Sequence, residues 1–199
     1  MFAKEYLKAK EVLDNSGVIS FPTETVMGLG IYFDDLKAYE RLNEIKNRPS
    51  DKPYSMMLFN KNEISKYAYV DETAQKIIER FMPGEITILL KAKDVVPSHA
   101  THNTGIIGVR VPNLDSLLDF LSYIKTPLLV PSANKSGEKP ALTSSEVKEI
   151  FGNEVGYIFE GHALGGVPST IVDLSNKEVK ILREGNISLD DIKKALKEN

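Results

Sequence analysis

Residues 170–182 read Thr170-Ile171-Val172-Asp173-Leu174-Ser175-Asn176-Lys177-Glu178-Val179-Lys180-Ile181-Leu182. Thr170–Leu174 and Val179–Leu182 are short apolar runs rich in β-branched residues, and each predicts a strand. The polar residues between them leave little room for the crossover helix that a parallel pair would need. A strand predicted at Gly156–Phe159 adds a third to this C-terminal group. A mixed sheet follows, because upstream of this point strands and helices alternate.

That alternation can be followed back along the chain. Lys4–Asp14 places Leu7, Val12 and Leu13 among charges and stops at Asn15-Ser16-Gly17, which predicts a helix. The strand Val18–Phe21 runs into Pro22. Asp34 or Asp35 caps a helix that carries Leu36, Tyr39, Leu42 and Ile45 until Pro49 stops it. Strand Tyr54–Phe59 follows, then a helix opened by Asp71 with Ala74, Ile77, Ile78 and Phe81 on one face, closed by Pro83-Gly84. Ile86–Leu90, Ile106–Val111 and Leu128–Val130 predict strands, and Asn113–Ile124 an amphipathic helix. Thr143-Ser144-Ser145-Glu146 is a capping-box pattern opening a helix to Phe151, and Ser188 caps a last helix to Lys197. No Gly/Ser-rich or Pro-rich linker interrupts the series. The expectation is one α/β domain over residues 1–199.

Composition narrows the function classes. The 199 residues are 42% hydrophobic and 27% charged, enough to bury a core, and contain no cysteine. Disulfide scaffolds, thiolate nucleophiles, iron–sulfur clusters and cysteine-based zinc sites are therefore excluded. No apolar run approaches the roughly 20 residues of a membrane span, and the N-terminus lacks the apolar stretch of a signal peptide. The expected location is the cytoplasm. The net charge of −3 gives no overall electrostatic reason to bind nucleic acid.

Five polar clusters punctuate the apolar framework. Pro22-Thr23-Glu24-Thr25-Val26-Met27-Gly28-Leu29-Gly30 combines hydroxyls with glycines that permit close backbone approach, or simply forms a strand-to-helix turn. Lys46-Asn47-Arg48-Pro49-Ser50-Asp51-Lys52-Pro53 gathers three cations at a helix end, which suits the helix dipole or a bound polyanion. Gly108-Val109-Arg110-Val111-Pro112 sets an arginine in an apolar strand, where it requires an internal partner or a bound carboxylate. Pro131-Ser132-Ala133-Asn134-Lys135-Ser136-Gly137 is a polar turn after a buried strand. The fifth comprises Gly165-Gly166-Val167-Pro168-Ser169-Thr170 and, further on, Arg183-Glu184-Gly185. His99 and His102 lack a third nearby ligand and read as a mobile surface segment. No metal site is expected. Neither a Walker-type phosphate loop, a full dinucleotide fingerprint nor a nucleophile elbow is present.

The order and wording of these clusters resemble the YrdC-like threonylcarbamoyl-AMP synthase family from about Gly17 to Ser188. The matching motifs are Pro-Thr-Glu-Thr-x-x-Gly-Leu-Gly, Lys-x-Arg-Pro, Gly-x-Arg-x-Pro, Pro-Ser-Ala-Asn-x-Ser-Gly, Pro-Ser-Thr-Ile-Val-Asp and Arg-Glu-Gly. The resemblance implies a twisted α/β sheet with flanking helices and a concave, positively charged face. It implies an L-threonylcarbamoyladenylate synthase, a nucleotidyltransferase that uses ATP, L-threonine and bicarbonate to supply tRNA threonylcarbamoyladenosine modification. Lys46 and Arg48 would be catalytic. Arg48, Lys52, Asn134 and Arg183 would lie along ATP, and Thr25, Arg110, Ser132 and Ser169 would hold threonine. Mg²⁺ would arrive with ATP, and the product would pass to a tRNA threonylcarbamoyl transferase complex. Met27 stands where the family usually carries tyrosine, and the chain resembles the single-domain branch. Two rival readings stand beside it: an RNA-binding module of the same fold, whose concave basic face would contact tRNA or double-stranded RNA without synthase activity, and a related carbamoyl-transfer domain.

Overall fold

The computed structural model describes residues 2–47, 54–176 and 178–197. Nine strands form one sheet in the order β7-β1-β2-β6-β3-β5-β4-β8-β9. They are β1 (Ile19–Phe21), β2 (Gly28–Tyr32), β3 (Ser55–Met57), β4 (Ile86–Lys91), β5 (Ile106–Arg110), β6 (Leu128–Val130), β7 (Tyr157–Ile158), β8 (Thr170–Asp173) and β9 (Lys180–Arg183). The sheet is mixed: β1–β7, β3–β5 and β4–β8 are parallel and the remaining neighbours antiparallel. The C-terminal pair β8–β9 is antiparallel, as its short connection demands.

Side chains alternate across the strands and so divide the core into two layers. On one face Leu29, Ile31, Met56, Ile86, Ile88, Val109 and Leu129 pack with α2 (Leu36–Lys46), α4 (Glu72–Phe81), α6 (Ser144–Phe151) and α7 (Leu189–Lys197). On the other, Ile19, Phe21, Met57, Leu128 and Val130 pack with α1 (Phe2–Asp14) and α5 (Asp115–Ile124). This second layer is the smaller and draws its strand residues from β1, β3 and β6. The continuation of the same sheet face along β5, β4, β8 and β9 is where the polar cleft lies.

Local signals behave as their chemistry predicts. The side chains of Asp35 and Asp71 accept from Ala38 N and Ala74 N at the starts of α2 and α4. Thr143 and Glu146 form the full capping box. Helix α2 ends at Lys46, where Asn47 turns left-handed and its N–H reaches back to Asn43 O and Glu44 O; the stop thus comes before Pro49. A short helix α3 (Ile64–Tyr67) had no periodic signal to announce it.

Two sequence readings are corrected. Residues 28–32 form β2, antiparallel to β1, so the Pro22–Met27 segment is a strand-to-strand connection and not a strand-to-helix turn. The glycines of β2 are explained by packing: a Cβ on Gly30 would lie 2.7 Å from the Phe21 ring and 3.1 Å from Leu128, and one on Gly28 would meet Val130 at 3.0 Å. The histidine segment is anchored to α2 and its approach, with His102 Nε2 2.6 Å from Tyr39 Oη and His99 Nε2 3.1 Å from Phe33 O. It does not form a free surface loop.

Candidate active site on the open face of the sheet

A cavity of about 160 Å³ lies where the β1–β2 connection, the ends of β3, β5 and β6, and the β8–β9 pair converge. Its lining includes Thr25, Arg110, Ser132, Ser169 and Arg183, drawn from four of the five sequence clusters. Register accounts for part of this convergence. Thr87 on β4 pairs with Ile171 on β8, and Ile171 with Arg183 on β9, so a hydroxyl, an isoleucine and a guanidinium run across three adjacent strands. Ser55 on β3 faces Gly108 on β5, two residues before Arg110. The absence of a side chain at Gly108 leaves room for Leu89 and Thr87, which a Cβ would meet at 3.0 and 3.2 Å.

Arg110 is 7% exposed and forms an ion pair with Glu24, Nη2 to Oε1 at 2.9 Å. Nη2 also donates to Thr25 Oγ1 at 3.0 Å. Glu24 Oε1 accepts a further bond from the Asn113 N–H, which ties the carboxylate to the turn after β5. The strand arginine therefore has an internal partner and also lines the cavity. Its Nε and the Glu24 Oε2 are buried without a hydrogen-bond partner, so the pair is held through one side only. The Thr25 hydroxyl is fully buried and lies 2.9 Å from that of Thr23.

Arg183 occupies the rim. Its Nε donates to Ser169 O at 2.9 Å and its Nη2 to Ser169 Oγ at 3.3 Å, and Ser169 Oγ also contacts Thr87 Oγ1. Burial, and then the charge of Arg110, pull the Arg183 guanidinium below its usual pKa. Two guanidiniums that line one small polar cavity favour an anion between them.

Lys46 and Asn134 lie behind this wall. Lys46 is 1% exposed, and its ammonium donates to Ser132 O and Asn134 O, both at 2.6 Å. A solvated helix end does not describe it. The Asn134 amide donates to Lys135 O and Glu138 O while its Oδ1 accepts from Ser132 Oγ, so its side chain closes the 132–138 turn. Neither residue is among those lining the cavity. Arg48 and Lys52 fall outside the described residues. Among the described residues no three His, Asp or Glu side chains gather closely enough to hold a metal, and no helix is long and apolar enough to cross a membrane.

Thr23, Ser55 and Thr87 also line the cavity, and Glu24 anchors its arginine, yet none received a role from the sequence. Thr87 carried a usable signal, a lone hydroxyl in the apolar run Ile86–Leu90 comparable to Arg110 in its own strand. Glu24 did not, since an acid in a connecting segment ordinarily faces solvent.

A hydroxyl-rich cleft with two guanidiniums, built on one face of a mixed α/β sheet, has the chemistry to hold a small anionic or zwitterionic ligand. The Sua5/YciO/YrdC family model, described as "Telomere recombination", matches residues 11–185, and the chain belongs to that family. A Methanocaldococcus jannaschii protein, provisionally named threonylcarbamoyl-AMP synthase, is 35% identical over 189 residues, 94% of this chain and 88% of its own length. The threonylcarbamoyl-AMP synthase of Pyrococcus abyssi is 33% identical over 91% of this chain, which spans 54% of that relative's length. The crystal structure of P. abyssi Sua5 complexed with L-threonine superposes with a TM-score of 0.92 at 31% identity, covering 100% of this chain and 58% of that one. Escherichia coli YciO superposes with a TM-score of 0.85 at 28% identity, covering 93% of this chain and 90% of its own.

Proposed function

We propose that this protein is an L-threonylcarbamoyladenylate synthase, a nucleotidyltransferase that joins L-threonine, bicarbonate-derived CO₂ and ATP. The observation that carries the reading is the meeting of Arg110, Ser132, Ser169 and Arg183 around one cavity of about 160 Å³. That volume suits a small amino acid and lies below the roughly 300–1,000 Å³ typical of sites for larger ligands. Relatives named for this activity, and a relative's structure holding L-threonine, support the same substrate. YciO relatives share the fold, and within this family the resemblance ties altered Lys-x-Arg and Ser-x-Asn positions to a paralogue group. Lys46, Arg48, Ser132 and Asn134 are all present here, which favours the synthase.

In this reading threonine lies in the cavity with its carboxylate toward Arg110 and its polar groups near Thr25, Ser132 and Ser169. The amine attacks CO₂, forming the N–C bond and releasing a proton, and a carbamate oxygen then attacks the α-phosphorus of ATP and expels pyrophosphate. Bringing two anions together calls for fixed positive charge and alignment. Arg183 on the rim, with Arg48 and Lys52, would lie along the phosphates, and Lys46 and Asn134 would hold the Ser132 turn against the nucleotide. Mg²⁺ would arrive on the phosphates and offset their charge; Glu24, beside the cavity's Thr23 and Thr25, is committed to Arg110. The product would pass to a tRNA threonylcarbamoyl transferase complex in the cytoplasm.

The test is incubation with ATP, Mg²⁺, bicarbonate and labelled L-threonine. Pyrophosphate and a threonine-bearing adenylate are the expected products. Pyrophosphate release that does not depend on threonine, or none at all, would overturn the proposal.

A further inference from the structure

A second cavity, of about 110 Å³, lies outside the candidate active site, between α1, α5 and the segment that follows β7. Tyr6, Phe120 and Phe159 wall it, and Pro22, Glu5 and Glu160 complete its lining. The three rings are packed against one another at steep angles. Tyr6 meets Phe120 at 5.2 Å and 63°, and Phe159 at 6.1 Å and 72°, while Phe120 meets Phe159 at 5.0 Å and 62°. Rings so inclined present faces as well as edges to the space they enclose. The walls are also tied in place. The Tyr6 hydroxyl on α1 donates to Ser116 O on α5 at 3.0 Å, and the Phe159 N–H donates to Ser20 O on β1 at 2.8 Å.

Charge separates this cavity from an ordinary gap in the core. Among the described residues no lysine, arginine or histidine lines it, and neither Glu5 nor Glu160 is ion-paired. Glu160 is held by Ser144, whose hydroxyl donates to its Oε2 at 2.9 Å. The negative field reaches the rings: burial, then Asp119 and Glu5, raise the pKa of the Tyr6 phenol. Burial, then Glu5 and Glu160, do the same for Tyr157, which packs edge-on against Phe159 at 5.0 Å. An uncharged ligand would cover the two carboxylates without giving them a partner, at a cost in desolvation. A cation meets both features, since the ring faces attract it and the carboxylates pair with it.

We infer that this aromatic, acid-rimmed cavity is the docking point for an arginine side chain of a protein partner. Size favours a single side chain: the cavity is smaller than the one proposed for threonine and takes a cationic head group, not a whole metabolite. Arginine fits better than lysine because a planar guanidinium stacks on rings while its fork reaches carboxylates, and it sheds its water more readily. An arginine seated in a preformed aromatic pocket is also a usual anchor of protein interfaces. The position has a consequence for the partner. Pro22 lines this cavity and Thr23 lines the threonine cavity, so the docked protein would lie one connecting segment away from the substrate. The inference does not rest on the synthase reading.

The test is a titration of the isotope-labelled full chain with the capped peptide acetyl-Gly-Arg-Gly-amide, followed through the NMR signals of the Tyr6, Phe120 and Phe159 rings. Saturable shifts at these rings are expected, with a dissociation constant on the order of 1 mM for so small a probe. The same peptide with citrulline keeps the shape without the charge and should give no saturable shift. Glu5→Gln combined with Glu160→Gln should weaken binding of the arginine peptide about tenfold, and melting curves run beside it read the fold separately. Phe159→Leu keeps an apolar wall without the ring face and should weaken binding by a similar factor. Silent rings with the arginine peptide, equal binding of the citrulline peptide, or unchanged affinity in the folded double variant would each overturn the inference. So would saturation by spermidine with none by the peptide, which would make the ligand a free amine and not a protein.

Discussion

Arg110 and Glu24 hold each other at 2.9 Å in a setting where each is under a tenth exposed. Removing the arginine alone strands a buried carboxylate, which ordinarily costs about 3–5 kcal/mol. Arg110→Ala is therefore expected to lose stability as well as threonine affinity. Arg110→Met combined with Glu24→Gln removes both charges, and should recover most of the melting temperature and none of the affinity. Equal melting of the single and double variants would exclude the stranded carboxylate as the origin of the loss. Lys46 and Arg48 belong to one motif but should behave differently. Lys46→Met leaves the Ser132 and Asn134 carbonyls without this donor, at roughly 1–3 kcal/mol for each buried group left unsatisfied, so its melting curve should fall along with turnover. Arg48→Ala is expected to keep its fold and lose on the order of 10²–10³ in rate, and Arg48→Lys to rescue only in part. Threonine-dependent pyrophosphate release beside a melting curve separates the two, and a folded, active Arg48→Ala protein would remove that residue from the mechanism.

At the scale of elements, β2 shows how composition can mislead. Gly28-Leu29-Gly30-Ile31-Tyr32 lacks the alternating side chains of an ordinary strand, yet it pairs with β1 on one side and β6 on the other. Its glycines make space for Phe21, whose ring lies over the backbone of the neighbouring strand. Gly30 is not among the residues lining the cavity, so a substitution there separates packing from ligand approach. Gly30→Ala drives a methyl to 2.7 Å from the Phe21 ring, and overpacking of this kind typically costs about 1–3 kcal/mol. Thermal melting should register the loss, and Phe21→Leu in the same chain should offset part of it. A Gly30→Ala protein that melts normally and has weakened threonine binding would return the glycines to the ligand. Helix ends were easier to read, because a cap is local: Asp35, Asp71 and Thr143 each reach an N–H three residues on.

For the whole molecule, the site is a product of sheet order. Arg110, Ser132 and Arg183 stand on or directly after β5, β6 and β9, which occupy the sixth, fourth and ninth places in the sheet, and the cavity exists only when all are paired. A ligand that bridges these strands should therefore stabilise the entire fold. At a hundredfold excess over its dissociation constant, L-threonine is expected to add about 2.7 kcal/mol. In a chain of this size that raises the melting temperature by roughly 5–10 °C. Scanning calorimetry with and without L-threonine measures it, with D-threonine as the control. No shift with L-threonine, or equal shifts with both, would remove threonine from the cavity.

The sequence by itself determined the class of fold, the starts of the longer helices, most strands, and the clusters that supply the lining. These follow from periodicity, turn chemistry and motif wording, all of which act over a few residues. It also placed an arginine in an apolar strand and so required a partner for it. Only the tertiary structure decided that the partner is Glu24, 86 positions away along the chain, because burial of both side chains arises from strands that meet in space. The same holds for Lys46, which reads as a solvated helix end until the turn after β6 closes over its ammonium.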